Sequence, residues 1–308
     1  MEEWVARHLP ADEYLFAWRV GPTVICGRNQ DVPLEVNLDY CRQHGIEVWR
    51  RKSGGGAVYA DHNNLMISYV TPSTEVEPTF RGYSEWLAAL LRSYGLNAEA
   101  SGRNDVLIDG RKVSGGAFYK LPDRAIVHST LLFSTDMEHM GGALTPSRAK
   151  LESKKVTSVQ SRITTIGEHL PNLTIEEVEH RLASECDGRY ELTPADIAEV
   201  EAICAGYEQQ GGTPTPTPRD NRLFCQRNDA GEFRFSLGEN GRLSAKGDFF
   251  PLCDLDAALA EACCGADLLD TLERMGVARA VAGIDNAKLA VLTDRAIKEL
   301  KSENNINI

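Results

Sequence analysis

The amino-acid sequence predicts an α+β protein, in which a mixed β-sheet flanked by helices is followed by a small α+β accessory domain at the C-terminus. Three features predict this fold class. Strand patterns dominate up to about residue 133, acidic helix patterns follow from about residue 163, and a segment rich in Gly, Pro and Thr precedes a last group of strands and helices. We therefore divide the chain into a main domain over 1–207, a linker over 208–220 and the accessory domain over 221–308.

Alternating apolar residues bounded by turn residues predict the strands of the main domain. Gly21-Pro22 separates the first two strands. Asp109-Gly110 predicts a tight hairpin, because a type I′ turn needs two residues with positive φ and this pair adopts that conformation at little cost. The predicted strands cover 13–20, 23–27, 46–51, 57–60, 65–70, 106–108, 111–113 and 125–133.

Apolar residues at helical spacing and cap residues predict the helices. Asn37 is a candidate N-cap of a short helix that stops at Gly45, and 79–94 is a long amphipathic helix that ends before Gly95. Later helices are predicted over 175–186, 194–208, 255–263, 266–276 and 293–302, the last with Thr293 as its N-cap. The accessory domain also contains predicted strands over 221–228, 232–238 and 241–247.

Composition and charge exclude several classes of protein. The 308 residues include 42% hydrophobic and 25% charged side chains, which is typical of a globular chain. The 45 acidic and 33 basic residues give a formal net charge of −12, which disfavours a nucleic-acid partner because such binding depends on clustered Lys and Arg. The acidic N-terminus does not resemble a signal peptide, and no run approaches the roughly 18 apolar residues that span a membrane. A soluble, cytoplasmic protein without a membrane partner is predicted.

The eight cysteines show no pattern of a metal site or a disulfide framework. They include no CxxC pair and no Cys/His spacing of a zinc site. We therefore predict reduced cysteines that are mostly buried and behave as small apolar residues.

The segment RRKSGGGAVYADHNNL, residues 50–65, is the first candidate site. Three consecutive glycines let the backbone approach an anion closely and offer several N–H donors, while Arg50 and Arg51 can bind phosphate or carboxylate. The spacing matches neither a P-loop nor the GxGxxG fingerprint of dinucleotide-binding proteins. A tight bend between strands explains the glycines equally well, so the pattern alone leaves both interpretations open.

The segment GRNDVLIDGRKVSGGAFYK, residues 102–120, is the second candidate site. Arg111 and Lys112 are consecutive strand residues, so only one of them faces a site beside the sheet. Lys112 lies between Asp105 and a second Ser-Gly-Gly segment, which favours a functional role over that of an ordinary solvent-exposed lysine. Asp105 could bind a hard cation or act as a turn residue, and the pattern does not separate these roles.

These two motifs, followed by HSTLLF at 128–133, resemble the lipoate-protein ligase family within the biotin/lipoate protein ligase superfamily. Within 141–166, LTPSRAKLESKKVTSVQSRITTI is similar to the segment that follows the core sheet in this family. GRLSAKGDFF at 241–250 resembles the family's accessory domain. The resemblance spans most of the chain and implies the fold of the biotin/lipoate ligases, with the catalytic machinery in 1–207.

The resemblance implies a ligation in two steps that consumes ATP. Lipoate would first react with ATP to give lipoyl-AMP, and the lipoyl group would then pass to a specific lysine of an acceptor protein as an amide. The implied substrates are lipoate, or octanoate in its place, and ATP with Mg²⁺. The implied acceptors are the lipoyl domains of 2-oxoacid dehydrogenase E2 subunits and the glycine cleavage H protein.

The resemblance also implies roles for individual residues. Lys112 would contact both the acyl carbonyl oxygen and the α-phosphate, and Asp105 would help to hold Mg²⁺. The residues expected at the nucleotide are Arg51, Gly56, Ala57, Val58, Tyr59, Asp105 and Lys112. The residues expected at lipoate are Arg50, Gly55, Asn64, Lys112 and His128, although a hydrogen-bonded structural role explains His128 equally well.

Two other functions are weighed against the ligase. An octanoyl or lipoyl transferase needs no ATP but passes its acyl group through an activated thiol, and the cysteines of residues 1–162 are Cys26, in an apolar strand, and Cys41, in a predicted helix. A non-catalytic binder of lipoate or lipoyl domains would not need the retained Arg51, glycines, Asp105 and Lys112. The ligase is therefore favoured, although the linker lacks the Trp-containing segment that many relatives carry before the accessory domain.

Overall fold

The computed structural model describes residues 1–73, 75–102, 104–145, 162–207, 223–238, 241–263 and 265–302. The predicted linker, 208–220, lies outside the described residues. The predicted α+β class is confirmed, because helices cover the faces of β-sheets in both halves of the chain.

A six-stranded sheet forms the centre of the main domain, and all of its neighbouring strands are antiparallel. Asp109 and Gly110 have φ values of 50° and 76°, so the predicted hairpin turn is confirmed between the seventh and eighth strands. From one edge to the other the strands are β1 (Tyr14–Trp18), β5 (Asn64–Thr71), β9 (Ala125–Leu132), β8 (Arg111–Lys120), β7 (Asp105–Ile108) and β6 (Ala98–Ser101).

A separate three-stranded sheet contains the parallel pairing that makes the fold mixed. Its order is β3 (Glu47–Arg50), β2 (Thr23–Cys26) and β4 (Val58–Ala60), with β2 parallel to β3 and antiparallel to β4. The end of β3 and the start of β4 therefore both lie beside the C-terminal end of β2. The glycine segment that joins them must cross this end of the sheet.

Helix α4 (Val76–Ser93) covers one face of the large sheet. Its buried residues include Phe80, Leu87 and Leu91, which pack in one cluster with core residues of β5 and β9. The helix begins three residues before the predicted 79–94, because Pro78 lies in the first turn, where the missing N–H has no intrahelical partner to lose. The predicted end before Gly95 is confirmed, and this glycine has a φ of 84°.

Seven shorter helices complete the part of the main domain that the structure describes. The N-terminal helix α1 was not predicted from the sequence; it packs against β5 and β9 and buries Trp4 and Val5. Asn37 is confirmed as an N-cap, because its side chain accepts a hydrogen bond from the N–H of Tyr40. These helices are α1 (Glu2–His8), α2 (Val32–Glu35), α3 (Leu38–Gln43), α5 (Met137–Ala143), α6 (Ile166–His169), α7 (Ile175–Ser184) and α8 (Pro194–Cys204).

The C-terminal unit, residues 223–302, has its own apolar core, in which the rings of Phe233 and Phe249 stack at 4.5 Å. The prediction that Thr293 is an N-cap was wrong. The last helix begins at Asn286, and Thr293 is a fully buried residue in its middle. The elements are the meander β10 (Phe224–Asn228), β11 (Gly231–Leu237) and β12 (Leu243–Gly247) with helices α9 (Leu255–Cys263), α10 (Leu268–Arg274) and α11 (Asn286–Ser302).

The C-terminal unit docks directly on the loops at the end of β2. The N–H of Gly55 donates to the carbonyl of Phe249 at 3.2 Å, and the N–H of Gly247 donates to the carbonyl of Asn29 at 2.8 Å. These backbone hydrogen bonds join the loops after β2 and β3 to the C-terminal unit. The contact between them does not depend on the Trp-containing segment that the sequence lacks.

Side chains reinforce this interface. The ring of Phe250 packs edge-on against Phe80 of α4 and beside Ala117 of β8. Arg234 of β11 forms a buried ion pair with Glu35 of α2. The burial of this pair means that removal of one partner would leave an uncompensated charge.

The predicted burial of the cysteines is only partly correct. Cys26 and Cys41 are buried, whereas Cys186, which follows α7, Cys204 at the end of α8 and Cys225 on β10 are exposed. Among the described residues, no helix is long and apolar enough to cross a membrane.

Candidate active site

A cavity of about 1750 Å³ is lined by residues of both sheets and of the C-terminal unit. The structure brings all the predicted site residues except Asn64 to its wall. They are Arg50, Arg51, Gly55, Gly56, Ala57, Val58, Tyr59, Asp105, Lys112 and His128.

Asn64 is directed away from the cavity. Its side chain is fully buried, donates to the carbonyl of Tyr59 at 3.1 Å and accepts a hydrogen bond from the hydroxyl of Thr135. Tyr59 belongs to β4, and Thr135 follows β9. In this structure the side chain of Asn64 therefore joins neighbouring segments of the core rather than contacting a substrate.

The glycine loop, residues 53–57, is held from within by Arg51. Its Nη2 donates to the carbonyls of Gly54 and Gly56 at 2.7 and 2.8 Å, its Nη1 to the carbonyl of Ile25 at 2.9 Å, and its Nε to the hydroxyl of Ser53 at 2.9 Å. Burial lowers the pKa of the guanidinium to about 10. Arg51 therefore shapes the loop, and its predicted contact with phosphate stays a prediction.

Arg50 supports the neighbouring loop at the end of β2. Its Nη1 lies 2.9 to 3.0 Å from the carbonyl oxygens of Gly27, Arg28 and Gln30. The two loops pack backbone against backbone, because a Cβ on Gly27 would lie 2.0 Å from the carbonyl oxygen of Gly55. Glycine at residue 27 is therefore required by this close approach rather than by a ligand.

Lys112 and Arg162 form the cationic side of the cavity, and the carboxylate of Asp105 lies between them. The Lys112 Nζ lies 2.6 Å from Oδ1 of Asp105, and the Arg162 Nη2 lies 2.5 Å from Oδ2 of the same carboxylate. A β-bulge leaves Val113 without a partner on β7, so Lys112 pairs with Leu107. A bulge bends its strand locally, and this one bends β8 next to Lys112.

Arg162 was missed by the sequence analysis. Its segment is fixed beside β8, because Ile163 forms a parallel bridge with Lys112 and the N–H of Thr164 donates to the carbonyl of Lys112 at 2.9 Å. Residue 162 is far from 105 and 112 in the chain. Only the pairing of its segment with β8 reveals the contact.

His128 lies between the N-terminus and the glycine loop. Its Nδ1 lies 3.0 and 3.1 Å from the carboxylate oxygens of Glu2, and its Nε2 lies 2.8 Å from the Ser53 hydroxyl. Because the carboxylate can only accept, Nδ1 is the donor, and in a neutral ring Nε2 accepts from Ser53. His128 therefore ties α1 to the glycine loop.

Glu2 was also missed, and the only sequence signal for it is an acidic residue in the first turn of a helix. Burial alone would raise its pKa, but the charge of His128 and hydrogen bonds from His128 and Ser68 outweigh this effect and lower the pKa below its usual value. The carboxylate is therefore the stable form of Glu2 at neutral pH.

The described residues do not fit a magnesium ion held by the protein alone. No group of three His, Cys, Asp or Glu side chains among them is arranged around one metal position. Both oxygens of Asp105 face cations, so an added cation there would meet two positive charges. The predicted magnesium contact of Asp105 stays a prediction, and the arrangement favours an ion that arrives with a nucleotide.

Comparison with known proteins identifies the family. The sequence pattern of the lipoyl protein ligase A/B catalytic domain matches residues 1–187. The chain belongs to this family. The lipoate-protein ligase LplJ of Bacillus subtilis is 33% identical over 271 residues, which cover 83% of this chain and 82% of that protein. The predicted membership of the lipoate-protein ligases, and with it an enzyme of the ligase class, is confirmed.

Solved structures of lipoate-protein ligases have the same fold. The archaeal bipartite lipoate protein ligase of Thermoplasma acidophilum, described with its E2 lipoyl domain, superposes with a TM-score of 0.59 at 27% identity and covers 67% of this chain and 85% of that one. A lipoate-protein ligase A described as bound with ATP superposes with a TM-score of 0.57 at 25% identity and covers 67% of this chain and 87% of that one.

The thiols of the main domain do not favour a transferase. Cys26 is fully buried, and burial raises its pKa to about 11; burial also raises the pKa of Cys41. Such thiols are poor nucleophiles. Cys204, which the sequence analysis did not consider for this role, is exposed and lines the cavity. Its contribution can be tested directly.

Proposed function

We propose that this lipoate-protein ligase works in two steps within the one cavity. In the first step a carboxylate oxygen of lipoate attacks the α-phosphorus of ATP, the bond to the bridging oxygen of the β-phosphate breaks, and pyrophosphate leaves. In the second step the neutral ε-amine of an acceptor lysine attacks the acyl carbon. The bond between that carbon and the phosphate oxygen breaks, the nitrogen loses a proton, and AMP leaves.

The position of Lys112 is the observation that carries this proposal. Its ammonium lies at the cavity wall beside Asp105, on a strand whose path is fixed by hydrogen bonds to β7, β9 and Thr164. The first step brings two anions together, so a cation fixed at the reacting carboxylate and phosphate lowers the barrier electrostatically. The backbone N–H groups of the glycine loop other than that of Gly55, which donates to the carbonyl of Phe249, would provide further donors for the nucleotide.

The cavity also offers an apolar wall for the acyl chain. This wall would take the eight-carbon chain of lipoate or of octanoate, while the carboxylate remains near Lys112. The apolar side chains at the cavity include those of Phe16, Trp18, Ile25, Met66, Ile126 and Leu132.

The substrates follow from the same chemistry. ATP would enter as its magnesium complex, with the ion carried mainly by the phosphates. We propose lipoyl domains of 2-oxoacid dehydrogenase E2 subunits and the glycine cleavage H protein as acceptors; the pairing of the Thermoplasma ligase with an E2 lipoyl domain supports the first. Because the reaction consumes ATP, we place it in the cytoplasm.

Exchange of labelled pyrophosphate into ATP tests the first step alone. We expect exchange that depends on lipoate and Mg²⁺, and a loss of at least about 100-fold in Lys112→Ala. Lys120→Ala is the matched control, because Lys120 is an exposed lysine at the end of the same strand. A wild-type protein without exchange would refute the ligase mechanism, and normal exchange in Lys112→Ala would remove this residue from it.

A further inference from the structure

We propose that Arg162 is a second phosphate-binding cation of this site, which acts with Lys112 on the α-phosphate in both steps. Asp105 is the shared counter-ion that holds the two cations side by side. The proposal rests on the proposed function and adds a residue to its nucleotide site.

The geometry places both cations on one carboxylate. Lys112 contacts Oδ1 and Arg162 contacts Oδ2, so the two positive groups are close neighbours. All three side chains line the cavity. The exposed fraction of the side chain is 21% for Lys112, 24% for Arg162 and 11% for Asp105. Two cationic groups side by side at a partly desolvated position suit an anion that contacts both of them.

The backbone around Arg162 is fixed without its ion pair. Ile163 pairs with Lys112, Thr164 donates to the Lys112 carbonyl, and Arg111 donates to the carbonyl of Ile163 at 3.4 Å. The side chain of Arg111 also pairs with Glu168 at 3.0 Å. The contact of Arg162 with Asp105 is therefore not needed to hold the segment, and Asp105 keeps Lys112 as a partner when Arg162 is replaced.

A second cation at the α-phosphate would assist both steps, because negative charge changes at this group in each of them. Lys112 is placed to share its charge between the acyl oxygen and a phosphate oxygen. The guanidinium of Arg162 can donate two parallel hydrogen bonds to phosphate oxygens, which a lysine cannot do. In the first step it would stabilise the charge that develops on the α-phosphate, and in the second step it would stabilise the departing AMP.

The test compares Arg162→Gln with Arg181→Gln. Both variants remove one arginine that pairs with a carboxylate, but Arg181 pairs with Glu185 on the exposed side of α7 and is not among the residues that line the cavity. We expect Arg162→Gln to lower kcat/KM for ATP in pyrophosphate exchange about 10- to 100-fold. We also expect a similar loss in the transfer of the lipoyl group from preformed lipoyl-AMP to a lipoyl domain. The KM for lipoate should change less than about threefold, and Arg181→Gln should stay within about twofold of the wild type in all three measurements.

Arg162→Lys keeps the test decisive if Arg162→Gln is poorly folded, which thermal unfolding would show. We expect Lys to restore part of the loss, because it retains the charge but not the paired hydrogen bonds. The proposal is overturned if ATP dependence is normal in Arg162→Gln or, where that variant does not fold, in Arg162→Lys. It is also overturned if Arg162→Gln and Arg181→Gln are equally impaired. Absence of exchange in the wild type would instead refute the proposed function.

Discussion

The ammonium of Lys112 occupies the space that a side chain at residue 115 would fill. A Cβ built on Gly115 would lie 2.3 Å from Nζ and 2.6 Å from Cε of Lys112. The second Ser-Gly-Gly segment of the sequence therefore has a steric reason, since Gly115 leaves room for Lys112 to reach Asp105.

Gly115→Ala should impair activity while it leaves the fold intact. The methyl group displaces only the flexible end of Lys112, so we expect a change of less than about 1 kcal/mol in the free energy of unfolding. Pyrophosphate exchange should fall about 10- to 100-fold, because the ammonium leaves its position. Both quantities are measured by urea unfolding and by the exchange assay.

Gly82→Ala is the matched control for this prediction. Gly82 lies on the exposed side of α4, and no atom lies within 4 Å of a Cβ at this residue. We expect unchanged exchange and a gain of about 0.5–1 kcal/mol in stability, because alanine favours the helix. Wild-type activity in Gly115→Ala would contradict the steric role of Gly115.

Arg51→Lys should destabilise the glycine loop. Lysine cannot reproduce the four separate contacts that the guanidinium makes with three carbonyls and a hydroxyl. We expect a loss of about 2–4 kcal/mol in the free energy of unfolding. Arg28→Lys, an exposed arginine in the neighbouring loop, should change it by less than about 0.5 kcal/mol.

The KM for ATP separates the two possible roles of Arg51. If the residue braces the loop, stability and ATP affinity should fall together. A variant with wild-type stability and a raised KM for ATP would instead show that Arg51 is chiefly a phosphate ligand.

Glu2→Gln should reduce the dependence of stability on acidic pH. The pKa of Glu2 is lowered in the folded protein, so its carboxylate contributes stability above the ordinary value of 4.5 and loses this contribution as pH falls through the folded value. At pH 7 the substitution should cost about 1–2 kcal/mol, because it weakens the contacts with His128 and Ser68. Urea unfolding at a series of pH values from 7 to 3 measures both effects.

The control for this series is Glu99→Gln, which changes an exposed carboxylate on β6. It should follow the wild-type pH dependence. A Glu2→Gln variant with the same acid sensitivity as the wild type would show that the Glu2 carboxylate does not contribute to stability.

Cys204→Ala should retain full activity. Cys204 is an exposed thiol at the cavity, and a transferase mechanism would need such a group to carry the acyl chain. We expect exchange and lipoyl transfer within about twofold of the wild type, as in the control Cys186→Ala, which removes an exposed thiol elsewhere. Loss of transfer together with an acyl adduct on Cys204 in the intact mass spectrum would favour the transferase.

Features that depend on a few neighbouring residues were predicted well from the sequence. The Asp109-Gly110 turn has positive φ at both residues, and Asn37 caps its helix, because turn geometry and capping are decided within a few residues of chain. Thr293 failed as a cap for the opposite reason. The helix that contains it extends seven residues further towards the N-terminus and buries Thr293 against the core of the C-terminal unit.

The predicted site residues were mostly brought together, but their contacts were not predictable. Arg51 belongs to the expected motif, yet its guanidinium binds carbonyls across the end of β2. Asn64 belongs to the same motif and lies in the core. Which way each side chain points depends on the register of β2 with β3 and β4, and no local pattern encodes this register.

By itself the sequence determined the family, the α+β class and the two motifs that supply the charged groups, because these are properties of residue type and spacing. The tertiary structure alone decided that Arg162 shares Asp105 with Lys112 and that Glu2 holds His128. Arg162 lies 57 residues from Asp105 in the chain, and Glu2 lies 126 residues from His128. Contacts at such separations arise only when strand pairing and helix packing place distant segments side by side.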